Sequence, residues 1–122
     1  MLHAAFAILG IAVLPGAALF VLHLRNGGAA DAAPWRLAAL HGLLGIGGLA
    51  CLVLALRHPP PVDQGTAGFG AISVALLAGA ALLGGVILAL RAAKKRPAGA
   101  LFGIHATLAI SGFVILAAYI LV

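Results

Sequence analysis

The chain has 122 residues, of which 65% are hydrophobic and 7% charged, with a mean hydropathy of +1.26; a soluble domain is roughly a quarter charged. The balance of +5 and the pI near 10.9 do not describe a nucleic-acid binder, which needs a basic face carrying aromatic or polar readers, because the cations here flank bilayer-length apolar segments. The single cysteine, Cys51, excludes an intramolecular disulfide and a C-x-x-C redox pair and reads as a small packing residue.

All nine formal charges fall in three short windows: Arg25, Asp31 and Arg36; Arg57 and Asp63; Arg91, Lys94, Lys95 and Arg96. Between them, four apolar stretches are each long enough to cross about 30 Å of hydrocarbon at about 1.5 Å per residue. The sequence therefore predicts an all-α, integral membrane four-helix bundle forming one transmembrane domain over 1–122, with helices at about 3–24, 35–57, 66–91 and 97–121. The first stretch lacks a cationic n-region and is too long for a signal-peptide h-region, so a retained helix is expected. The first connection carries Asn26-Gly27-Gly28, the second Pro59-Pro60-Pro61, and the third Ala92 to Arg96. Pro34 and Pro97 suit first-turn helical positions. Connections this short favour an up-down-up-down order. Lys and Arg number six on the side of the first and third connections and one, Arg57, on the other, which predicts both termini outside. Trp35 and Tyr119 are expected as interfacial anchors at opposite ends.

Self-comparison shows a repeat. Leu37, His41, Leu44, Ile46, Gly48 and Leu52 recur at an offset of 64 as Leu101, His105, Leu108, Ile110, Gly112 and Leu116. The segment Leu14–Leu19 echoes Leu77–Leu82 at an offset of 63, so the chain reads as a duplicated two-helix hairpin with halves at about 1–58 and 64–122. Relative to each histidine the shared residues lie at −4, +3, +7 and +11, one helical face at 100° per residue, with only the isoleucines off it. Two helices per repeat make the halves parallel. His41 lies five residues past Arg36 and His105 eight past Pro97, which places both roughly 7 to 13 Å into the membrane. On the diagonal helices of a square bundle they face each other.

An intramembrane imidazole points to function, and facing helices of a four-helix bundle build cofactor sites. Two imidazoles at matched depth suit the axial positions of a haem iron. Gly45, Gly48, Ala109 and Gly112, one and two turns deeper on the histidine face, remove bulk where a porphyrin edge would press. Arg36, Arg91, Lys94, Lys95 and Arg96 are candidates to pair with the propionates near the interface. The bland alternatives are a histidine bonded to a neighbouring helix, worth about 1 kcal/mol, and glycines that bring helices close. His23 reads as interfacial; His3 and His58 share the opposite surface, and the basic cluster also fits a topology signal.

This arrangement resembles the membrane b-type cytochromes, including cytochrome b561-like proteins and the haem-binding anchor subunits of respiratory complexes. The resemblance covers helices 2 and 4, about half the chain, in architecture and histidine placement. It implies one haem b with His41 and His105 as axial and metal ligands, and one-electron transfer. A bacterial-type inner membrane is the expected location, and the redox partner is quinone, a soluble carrier or partner subunits. Those families often hold two haems; only one such pair is evident here. The other reading is a small structural or chlorin-binding subunit of a larger respiratory or photosynthetic complex. Both acids fall in predicted connections, against a proton-coupled transporter with a buried carboxylate, and no hydrolase or phosphate-loop motif occurs. A carrier or subunit is expected before a self-contained enzyme. The Gly/Ala-rich faces also suit a homo-oligomer.

Overall fold

The computed structural model describes residues 1–27, 34–58 and 68–121, and regular structure among them is entirely helical. Helix α1 spans Leu2–Arg25, α2 Trp35–Ala55, α3 Phe69–Ala92 and α4 Gly99–Leu121. All four are long and apolar enough to cross a membrane, as a multi-pass membrane protein requires. The physical reason is that lipid offers backbone groups no partner, so an apolar segment satisfies them within itself. Helix α1 runs on through the buried Pro15. Residues 28–33 and 59–67, which include Asp31, Asp63 and the triple proline, lie outside the described residues, as does Val122.

Pro34 is the N-cap of α2 with φ of −59°, as its fixed ring favours. Pro97 departs from expectation: it is buried, and α4 begins only at Gly99. Helix α3 is stopped by hydrogen bonds from Lys94 N–H to Arg91 O and Lys95 N–H to Leu90 O, both 2.9 Å, with Lys94 at φ of 56°. This is a Schellman closure with lysine where glycine is usual.

Helix α1 packs most closely on α2, and α3 on α4. Within the first pair, Gly16 lies against His41 and Gly48 against Leu9, so the numbers on the two helices run oppositely and the pair is antiparallel. In the second pair Gly84 lies against His105 and Gly112 against Leu77. These contacts recur at an offset of 64 on α2 and α4 and of 68 on α1 and α3. The offset of 63 expected for the first halves therefore aligned residues in inequivalent places.

The pairs adhere chiefly in the half away from the basic connections, where Ala5, Leu9, Leu52, Leu77, Leu116 and Tyr119 form the core. Phe6 of α1 stacks on Phe113 of α4 with centroids 4.9 Å apart, and within the second pair Ser73 Oγ donates to Gly112 O at 2.8 Å. Tyr119, expected as an interfacial anchor, is 4% exposed within the core cluster, while the space before Gly70 is taken chiefly by Leu56. Trp35 is exposed. The free thiol of Cys51 packs against the core. With lipid as apolar as leucine, small residues that admit a neighbour's side chain hold such pairs together. A Cβ at Gly48 would stand 2.6 Å from Leu9 Cγ, whereas one at Gly47 meets nothing within 4 Å. Gly48→Leu is thus expected to destabilise the protein by about 1–3 kcal/mol in detergent unfolding, with Gly47→Leu near neutral.

Candidate functional site

His41 and His105 sit partly buried on α2 and α4. The residues they share by the repeat, Leu37, Leu44, Gly48 and Leu52 with their counterparts, are buried or half-buried, while Ile46 and Ile110 are 64% and 61% exposed. The histidine-bearing face is therefore the inner one. Each ring reaches across its own helix pair: His41 Nδ1 lies 2.9 Å from Ala12 O on α1, and His105 Nδ1 lies 2.8 Å from Ala80 O on α3. A carbonyl oxygen only accepts, so each Nδ1 carries the hydrogen and donates it. In the neutral ring Nε2 then keeps its lone pair.

The carbonyls are reachable because of two glycines that the sequence reading overlooked. Ala12 and Ala80 each stand four residues before a glycine, Gly16 and Gly84. A helical Cβ leans toward the preceding turn, so a side chain there would cover the accepting oxygen. A Cβ on Gly16 would stand 2.7 Å from His41 Cε1, and one on Gly84 3.1 Å from His105 Cε1. The signal was present as Ala-x3-Gly at an offset of 68, masked by the leucine-rich match at 63.

The two rings meet between the helix pairs, with centroids 6.0 Å apart and planes at 81°. The largest fully buried side chains, Leu52, Leu116 and Ser73, all lie in the other half of the bundle. Of the residues expected beside the histidines, Gly45 has open space before it, with nothing within 4 Å of a built Cβ, and Ala109 is half-buried. Gly48 and Gly112 are different. Leu9 fills the space at the first, and Leu76 and Leu77 that at the second, so these glycines serve packing within each helix pair and leave no gap for a porphyrin edge.

The cations divide by burial. Arg36, Lys94, Lys95 and Arg96 are exposed at one end of the bundle, with Arg36 over the Trp35 ring at 5.8 Å. Arg91 is partly buried, its guanidinium 5.4 Å from the Phe102 ring centroid. His23, expected as a plain interfacial residue, stacks on the same ring with centroids 4.0 Å apart. At the other end His3 and His58, both exposed, line a recess of about 380 Å³. No cluster of three or more His, Cys, Asp or Glu occurs among the described residues.

Comparison with protein-family models, with curated proteins and with solved structures finds no match to this chain. Its chemistry is read from the site alone. Because Gly16 holds His41 in one tautomer, ¹⁵N NMR of histidine-labelled, cofactor-free protein should show both rings protonated at Nδ1. Gly16→Ala should remove that preference at His41 and leave His105 unchanged; an unaltered His41 signal would contradict the role given to Gly16.

Proposed function

We propose that the chain is a membrane-embedded b-type cytochrome in which His41 and His105 are the axial ligands of one haem b and which passes single electrons. The observation that carries this reading is the pair of Nδ1–carbonyl hydrogen bonds on two rings that face each other. A metal-ligating histidine typically donates its other ring N–H to a carbonyl or carboxylate, which fixes the tautomer and raises ligand basicity. Ala12 and Ala80 do this for both rings.

The residues fit the group in spacing as well as in donor chemistry. Two imidazoles on one metal, each with a metal–nitrogen distance of about 2 Å, centre their rings about 6 Å apart, and here the centroids are 6.0 Å apart. Haem iron with both axial positions filled by imidazole exchanges electrons and does not readily bind oxygen. The chain's own contribution is to orient the two rings, to keep their Nε2 lone pairs available, and to surround the site with lipid-facing helices. Histidines serving separate chlorins would face outward. These two face one another, which supports shared ligation over the pigment-subunit reading.

In this account the four helices form an up-down-up-down bundle built by duplication of a hairpin, one histidine from each copy. The basic end faces the cytoplasm of a bacterial-type inner membrane and both termini lie outside, following the Lys/Arg distribution. Electrons come from and go to membrane quinone or partner subunits. His41→Ala and His105→Ala should each abolish the reduced b-type spectrum of the purified protein while membrane insertion and helicity persist. Full haem retention in both variants would reject the assignment.

A further inference from the structure

The end of the bundle nearer the histidines holds two buried polar atoms with no hydrogen-bond partner, His23 Nδ1 and Arg91 Nε. They are not scattered. His23 and Arg91 are equivalent at the offset of 68 that relates the contacts of α1 to those of α3, and each stands seven residues beyond the glycine, Gly16 or Gly84, that receives a histidine ring. Seven residues of helix are about 10 Å. Both groups also converge on one side chain, Phe102, three residues before His105 on α4.

A buried donor without an acceptor carries its full desolvation cost, and the guanidinium is always charged. An oxyanion at Arg91 satisfies the donor and balances the charge together. No side-chain carboxylate occurs among the described residues. The ligand proposed above carries two carboxylates on one porphyrin edge. Two matched donors, two carboxylates and one shared depth are a consistent set.

We infer that His23 and Arg91 each hold one propionate of the haem seated on His41 and His105, and so fix the haem with its propionate edge toward the basic end. The inference rests on the haem reading. It selects Arg91 from the six cations at this end, and adds His23, because the remaining five, Arg25, Arg36, Lys94, Lys95 and Arg96, are exposed. Arg91 Nε and one terminal nitrogen form the side-on fork that suits a carboxylate, while His23 offers a single donor. The phenyl ring of Phe102 keeps both groups in place.

The test is a double cycle on purified full-length protein, titrated with haem b and with its dimethyl ester, in which the carboxylates are masked. Wild type should bind the ester about tenfold or more weakly than haem b, the scale of a lost charge-assisted hydrogen bond. In Arg91→Gln combined with His23→Ala that ratio should fall to about twofold or less, while Arg91→Lys restores part of it. The midpoint reduction potential of bound haem b should fall in Arg91→Gln, because loss of a cation beside the haem favours the ferric form, and should fall less in Arg91→Lys. Should the double variant be poorly folded, His23→Ala alone gives the same ratio test. An equal ratio in wild type and variants would overturn the clamp and leave the axial ligation standing. A wild type that binds neither compound would overturn both.

Discussion

The structure turns on a hydrogen bond from a histidine to the main chain of its neighbouring helix. In lipid a helix has already used its carbonyls within itself, and an imidazole on an adjacent helix has nowhere to put its N–H. Gly16 and Gly84 resolve both conditions by uncovering Ala12 O and Ala80 O. That contact pulls α1 to α2 and α3 to α4. It also determines which ring nitrogen remains free, so helix pairing and site chemistry depend on the same few atoms.

The rest of the bundle divides its labour along the membrane normal. Large side chains and the Phe6–Phe113 stack join the pairs in one half. In the half with the histidines the buried residues are mostly small, Ala12, Pro15 and Ala80 among them. Stability can reside in the first half, whose packing does not involve the His41–His105 pair. Under the proposed reading, bis-imidazole ligation adds a further link between the pairs, beside the His23–Phe102 stack.

Much of this was legible in the sequence, for reasons that can be named. Charges are costly in hydrocarbon, so their confinement to three windows located the helices to within a few residues. The repeat at an offset of 64 identified the inner face of α2 and α4, down to the outward Ile46 and Ile110. What stayed hidden depended on which helix packs against which. Gly48 and Gly112 looked like room for a cofactor and proved to be seats for Leu9 and Leu77, since a glycine on an inward face reads the same in either use. Gly16 and Gly84 were passed over because repeated leucines and alanines align at several offsets and only contacts choose between 63 and 68. Tyr119 near a helix end suggests an interfacial anchor, whereas its ring is buried in the core cluster.

The central claim is that one haem b is shared by two histidines of one chain. It is tested most directly by isolating the wild-type protein from haem-replete membranes and recording its reduced-minus-oxidised visible spectrum with quantification of extracted cofactor. A sharp b-type α band at about one haem per chain, low-spin in both oxidation states as two imidazole ligands require, is the predicted result. Protein that emerges folded but free of haem, and takes up none when haem is supplied, would contradict it.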